Sequence, residues 1–560
     1  MKSKQKVMPF LLVVIILLMG IGYAGFAGGK REAATEQAEE KVVVEDVRRL
    51  RTGWSWPTYI DPAVGSDISS TTALSSLYDV LVYPDLNGNV QPHVAKSWEV
   101  SEDGLKWTFY LNEGIKFHDG TELTAEDVKF TMDRLTTIGE GYAFLYGDRI
   151  ASTEALGDYT VVFNLAEPFA PFLRTMFMFF IANKDLVMEN IKKPGPYGEM
   201  GDYGKEYLLD HDAGSGPYMV KEFMLEEYLA MTKNTNYWEP EYARLNPLAA
   251  DEFTMYGTMN PVTIRTMMAA RDLEVSDAWQ TSETLATLDK IEGVEIAEYP
   301  GGGVFYLMMH NRKPPTDDIH FRKALAWAFD YEQAAEIFEL PIAQGPIPRD
   351  IPGFDPNVMQ YKQDMDKAME ELKKSKYYGK LDDYPIEFDW NSDVPVLEKI
   401  GLLFMSNVGE LGIQVDLVKT PYQVMVQESA DMETSPNVTT IWVAGPYPEA
   451  GALLDQRYGS ASAPTVMQNE WLLDSKYDRM VNDALSTLDE RERFNKYAEI
   501  QKYLVDLCPT IFMVEWNYKH AYQTYIDGPA FQGKAAGLFG YSLDPRFIEV
   551  YPEKKAALKR

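Results

Sequence analysis

His93-Val-Ala-Lys-Ser-Trp98-Glu-Val-Ser-Glu-Asp-Gly104-Leu-Lys-Trp107-Thr-Phe109-Tyr-Leu111-Asn-Glu-Gly114-Ile-Lys-Phe-His118-Asp-Gly120-Thr-Glu-Leu-Thr124-Ala-Glu-Asp127-Val128 is the stretch on which the fold turns. Leu105, Trp107, Phe109 and Leu111 alternate with Lys106, Thr108 and Tyr110, the period of a half-buried strand. Ser101–Gly104 carries turn chemistry between that strand and the Trp98–Val100 segment, so the two read as a hairpin. His118-Asp-Gly120 makes the next turn. Thr124 followed by Asp127 predicts a capped helix with Val128, Met132 and Leu135 on one face.

This order of parts resembles the family 5 extracellular solute-binding proteins, the oligopeptide- and dipeptide-binding components of ABC importers. Their pattern, close to "A-x-S-W-x-x-S-x-D-G-x-x-W/Y-T-F-x-L-R-x-G-x-K-F-H-D-G-x-x-x-T-A-x-D-V", is matched almost residue by residue, with Asn112 at the usual Arg. Further resemblances follow in family order: Gly214-Ser-Gly216-Pro217-Tyr218, Asn234-Thr-Asn236-Tyr237-Trp238, Val304–Asn311 with Pro314-Pro315, and Phe321-Arg322-Lys323-Ala324-Leu325 with Ala328 and Asp330. A helix over Pro395–Leu411 stops at Gly412, and Ile413, Val415 and Leu417 alternate as a strand. Phe494, Tyr497, Ile500, Leu504 and Leu507 mark an amphipathic helix stopped by Pro509, and Ile511–Tyr518 resembles a return strand.

The resemblance implies an α/β, two-lobed periplasmic-binding-protein-like fold of type II, with an extra inserted subdomain and a hinge of crossing strands. The implied division is a lobe I of residues 42–85, 208–305 and 511–560, an inserted subdomain over 86–207, and a lobe II over 306–510. Gly301-Gly-Gly303 reads as a flexible turn beside the hinge. Tyr78 and Asp79 match a structural helix of the family.

The N-terminus reads as a targeting segment. Lys2, Lys4 and Lys6 precede the apolar run Phe10–Met19, and Gly25-Phe-Ala27 fits a small-x-small cleavage site, giving a signal peptide over 1–27 and a flexible Glu/Ala-rich tether over 28–41. No cysteine follows the run, so a lipid anchor on cysteine is excluded. The uncharged stretch is also long enough to serve as an uncleaved anchor. The expected location is the periplasm or the extracellular space. N-terminal sequencing of protein recovered from the cell envelope is expected to show cleavage between residues 24 and 28; a mature chain starting at Met1 would support the anchor instead.

A net charge of −32 disfavours nucleic acid and anionic membranes as partners. The lone Cys508 cannot form an intramolecular disulfide and reads as a buried thiol at a helix end. The six histidines show no zinc-protease spacing, and neither a Gly-x-Ser-x-Gly elbow nor a phosphate-binding Gly-x-x-x-x-Gly-Lys loop occurs. Together with the family resemblance, the expectation is a monomeric binding protein, without enzymatic activity, cofactor or metal.

In peptide-binding members the loop after one lobe II strand resembles "W-x-A-D-Y-P-D-P", and its first Asp faces the ligand's amino terminus. Here the loop is Trp442-Val-Ala-Gly445-Pro446-Tyr447-Pro448-Glu449, with Gly445-Pro446 at that Asp and Glu449 at the second. An α-ammonium buried without its carboxylate pays a desolvation cost. Aromatic residues near loops expected to line the cleft are Trp54, Trp56, Tyr59, Trp279, Trp442 and Tyr447. Ordinary core or hinge packing is the competing reading of each. Together with Glu449 they form the expected ligand set. The aromatics and the missing Asp favour an oligosaccharide stacked on indoles over a free-amino-terminus peptide, while Glu449, which could swing in to replace that Asp, argues for the peptide. The expected function is capture of an oligosaccharide or peptide and its delivery to the permease subunits of an inner-membrane ABC importer. The alternatives are an oligopeptide- or dipeptide-binding protein of the same family and, in another class, a secreted hydrolase or a ligand-sensing subunit for a membrane receptor.

Overall fold

The hairpin, turn and helix expected from residue 93 onward are present in the computed structural model, which describes residues 47–558 apart from 54–56, 258, 393, 536 and 539. Strand Ala95–Val100 pairs antiparallel with Lys106–Leu111, and Gly104 takes φ +70° in the turn between them. Trp107, Phe109 and Leu111 are buried, as the alternation requires. Helix Ala125–Ile138 opens at Thr124, whose backbone N–H and hydroxyl both donate to Asp127 Oδ2 at 2.9 Å. Gly139, in the left-handed region, ends it. Strands Thr160–Leu165 and Ile150–Ala155 complete this four-stranded antiparallel sheet.

A second four-stranded sheet runs in the order Arg49–Thr52, Glu252–Tyr256, Tyr228–Lys233 and Tyr218–Met224. The third has five strands, ordered Val415–Thr420, Ile386–Asn391, Val438–Ala444, Val294–Met309 and Thr510–Gln523. The last two are long enough to serve both halves of the molecule. Val294–Pro300 pairs with Asn517–Gln523, beside the short bridges that Val275 makes to Thr52 and Tyr522. Val304–Met308 pairs with Thr510–Glu515 and also with Val438–Ala444. These are the crossing strands of a two-lobed α/β fold.

Gly301–Gly303 departs from the expected flexible turn. The strand is continuous through the three glycines, with a register shift between Pro300 and Val304. They are required by close approaches: a Cβ at Gly301 would lie 2.3 Å from Trp516 Cδ1, one at Gly302 2.0 Å from the Gly537 carbonyl oxygen, and one at Gly303 2.5 Å from Trp442 Nε1. Two indoles and a loop backbone occupy the room that side chains would fill.

Several motifs of the first half converge on one buried carboxylate. Asp79 accepts from His93 Nε2 (2.8 Å), the Ser215 hydroxyl, the Tyr237 hydroxyl and Trp238 Nε1 (each 2.9 Å). Burial alone would raise its pKa, but the His93 bond, the His93 and Arg546 charges and the Trp238 bond hold it below the usual carboxylate range. Burial in turn lowers the His93 pKa. Thus three separated sequence motifs have a common structural cause.

The second half follows its periodicities with small boundary differences. The helix read to Leu411 spans Val396–Gly409, and Gly412 turns the chain at φ +80° into the strand that starts at Val415. Helix Glu490–Leu507 ends on Cys508, itself left-handed at φ +49° and buried. Among the described residues no helix is long and apolar enough to cross a membrane.

Candidate functional site

The crossing strands bring three tryptophans together. Trp442 stands near the end of Val438–Ala444, and its Cα partner Phe305 packs edge-on to Trp516 of the return strand at 5.6 Å between ring centroids. Trp279 stacks on Trp516 at 5.3 Å and 26°, and meets Trp442 edge-on at 6.5 Å. Trp442 and Trp516 are 6.2 Å apart. The Gly301–Gly303 run lets both indoles seat against the strand, which explains the glycines and the wall together. Trp279 is held by Asp277, whose carboxylate accepts from the Trp279 backbone N–H (2.8 Å) and from Gln280 Nε2 (2.7 Å). It is 54 % exposed, so it presents indole surface to solvent.

Charge borders this wall. Glu515 precedes Trp516 and is buried; Arg349 Nε lies 3.6 Å from its Oε1, beyond a hydrogen bond, and that oxygen has no donor. Burial raises the Glu515 pKa, the Arg349 charge opposes this, and the nearby Asp350 charge adds to it. Asp350 is exposed, and desolvation by the atoms around it raises its pKa as well. Its Oδ2 is 2.1 Å from where a Gly537 Cβ would be, and Gly537 in turn touches Gly302. Asp350, the glycine run and the indoles are therefore neighbours.

Of the expected ligand set, the structure brings Trp279 and Trp442 together. Trp54 and Trp56 lie outside the described residues. Tyr59 is exposed and lines a separate open groove of about 750 Å³ with Asn190, Lys192, Tyr207, His211 and Phe223. Tyr447 and Glu449 depart from the expectation, because internal contacts already occupy them. Tyr447 is buried edge-on against Phe169 at 6.4 Å. Glu449 is fully buried and accepts from Arg493 Nε (2.8 Å), Arg493 Nη2 (3.1 Å) and the Tyr497 hydroxyl (2.7 Å), with Arg174 Nε at 3.1 Å. A carboxylate so supplied is not an open acceptor. Its network joins segments far apart in sequence: Arg174 also reaches Glu490 and the Gly88 carbonyl, and Arg149 pairs with Asp455 at 2.9 Å.

Sequence reasoning missed Trp516, Glu515, Arg349 and Asp350. One signal was available: Glu515 interrupts the otherwise apolar Ile511–Trp516 run, and an acid in a buried strand needs a reason.

The crossing strands, with an aromatic and charged wall at their junction, define a hinged two-lobed binding protein. Residues 89–464 match the bacterial extracellular solute-binding proteins, family 5, and the chain belongs to that family. A probable D,D-dipeptide-binding periplasmic protein of Escherichia coli is 29 % identical over 490 residues, covering 85 % of this chain and 90 % of that one. A glutathione-binding protein of Escherichia coli is 25 % identical over 488 residues, covering 84 % and 89 %. The crystal structure of a dipeptide-binding protein from Pseudoalteromonas in complex with Met-Leu superposes with a TM-score of 0.73 at 20 % identity, covering 90 % of this chain and 100 % of that one.

Proposed function

We propose that this chain is an exported, periplasmic solute-binding protein that closes on a short peptide and presents it to the permease subunits of an ABC importer, with no bond chemistry of its own. The observation that carries the reading is the alignment with the D,D-dipeptide-binding relative along nearly the whole of both chains. The preference for an oligosaccharide is replaced: it rested on the absent Asp at Gly445-Pro446 and on the aromatic loops, and the relatives named for dipeptides and glutathione support peptides instead. The lobe boundaries implied by the family, with lobe I over 42–85, 208–305 and 511–560, the insertion over 86–207 and lobe II over 306–510, are part of this proposal. Ligand contacts made from both sides of the hinge would favour the closed arrangement.

A thermal-shift screen of di- to pentapeptides beside α- and β-linked oligosaccharides tests the reading. A bound peptide at a hundred times its Kd contributes about 2.7 kcal/mol, so a shift of several degrees is expected with peptides. Stabilisation by oligosaccharides alone, or consumption of the peptide during incubation, would count against it.

A further inference from the structure

We infer that Asp350, with Glu515 behind it, is the acceptor for the ligand's ammonium group, replacing the acid missing from the Gly445-Pro446 loop. The inference rests on the peptide reading above and names where that peptide's positive end sits.

Three observations carry it. First, the charges at this place do not balance. Asp350 and Glu515 lie close enough to interact, and among the described residues the cation facing Glu515 is Arg349, whose Nε is 3.6 Å away and outside hydrogen-bond reach. The Arg349 guanidinium is itself engaged elsewhere, donating through Nη2 to the Ile342 carbonyl at 2.7 Å. Second, one buried acceptor is open. The Arg349 backbone N–H donates to Glu515 Oε2 at 3.4 Å, whereas Glu515 Oε1 is buried with no donor, and among the described residues no side chain donates to Asp350. A buried carboxylate oxygen without a donor is costly, and a ligand that brings N–H groups relieves the cost. Third, the acids adjoin surface suited to the rest of a peptide. Asp350 touches Gly537, Gly537 touches Gly302, and the same glycine run seats Trp442 and Trp516, on which Trp279 stacks with one side open to solvent. An ammonium at Asp350 leaves the peptide body within reach of indole faces.

The lost acid and the gained acid belong to different elements. Gly445 follows strand Val438–Ala444, whereas Asp350 lies in the loop after Pro346-Ile-Pro348 and Glu515 in the return strand. The ammonium would therefore be received beside Gly537 by acids from two other elements.

Isothermal titration with D-Ala-D-Ala, L-Met-L-Leu and the N-acetyl form of each tests this on the full mature chain, using wild type, Asp350→Asn and Glu515→Gln. N-acetylation removes the ammonium and leaves the rest of the peptide. A charge-assisted bond predicts about tenfold or more weaker binding of the N-acetyl form to wild type. In Asp350→Asn that gap should shrink to about threefold or less, with the loss confined to the free-amine peptides. Glu515→Gln should narrow it in the same direction, and serves as the second variant if Asp350→Asn changes the unfolding midpoint. Wild type that binds free and acetylated peptides equally, or variants that keep the full gap, would overturn the inference while leaving the peptide reading intact. Wild type that binds none of the four peptides would overturn both.

Discussion

Glu449→Ala is expected to lower the free energy of unfolding by about 3–5 kcal/mol, because it leaves the buried Arg493 and Arg174 guanidiniums without their shared carboxylate. Glu449 is wholly buried, and the side chains of Arg493 and Arg174 are 5 % and 9 % exposed. Arg493 keeps only the Thr487 and Leu488 carbonyls and a 3.9 Å approach to Glu490; Arg174 keeps Glu490 and the Gly88 and Pro448 carbonyls. Tyr497 loses its acceptor as well. Glu490→Ala is the control: its carboxylate is largely solvated, and its loss should cost under about 1 kcal/mol. Urea unfolding of the two variants beside wild type measures the difference. A Glu449→Ala variant within 1 kcal/mol of wild type would mean that water reaches these guanidiniums and that the network is not the tie described above. Arg174 lies in the short helix Phe172–Thr175 and Arg493 in Glu490–Leu507, so the loss should also loosen the contact between these segments. Faster proteolysis at the 447–449 loop would accompany it.

How far residues could be read in advance depended on how local their cause is. The Thr124–Asp127 cap, the Gly104 turn and the alternation from Leu105 to Leu111 each rest on neighbours within a few positions, and the structure forms all of them. Asp79 could be recognised as structural by its motif, but its four donors come from three later segments, and no spacing rule predicts that convergence. The site was harder to read for the same reason. Glu449 stands at the second acid of the loop pattern, which made it a candidate. Its actual partners, Arg493 and Arg174, come from opposite directions along the chain. Trp279 and Trp442 were identified as aromatic residues near loops, whereas Trp516, which both of them touch, was hidden inside an apolar strand. The three glycines were visible, but glycine in a strand signals either flexibility or close approach, and only the positions of Trp442, Trp516 and Gly537 decide between them.

Acidification from pH 8 to pH 5 is expected to stabilise one region of the molecule through Asp389. This residue lies in strand Ile386–Asn391 and is 2 % exposed. Thr420 donates to its Oδ2 at 2.9 Å, while its Oδ1 and Glu428 Oε2 are both buried without a donor. On the same sheet Val418 and Thr439 are its register partners, and Glu387, paired with Lys313, is the other nearby acid. Burial first, then the Glu428 and Glu387 charges, push its pKa up to about 7, against the opposing Thr420 bond. The sign follows from proton binding. Between the unfolded value near 3.8 and the folded value near 7 the folded chain holds a proton that the unfolded chain has released. Stability contributed by the protonated acid is thus complete below the unfolded value and is lost as pH rises through the folded one. At about 1.4 kcal/mol per unit, the loss between pH 5 and pH 8 is on the order of 2–3 kcal/mol. Asp389→Asn keeps the shape, cannot ionise, and should remove this slope: urea midpoints of wild type and variant are expected to lie closer together at pH 5 than at pH 8, with the variant more stable. Protonation of Asp389 would then remove its repulsion of Glu428, the last residue of helix Tyr422–Glu428, at low pH. Parallel pH profiles for the two proteins would show that Asp389 is already ionised and that a solvent cation or water, rather than a proton, satisfies the pair.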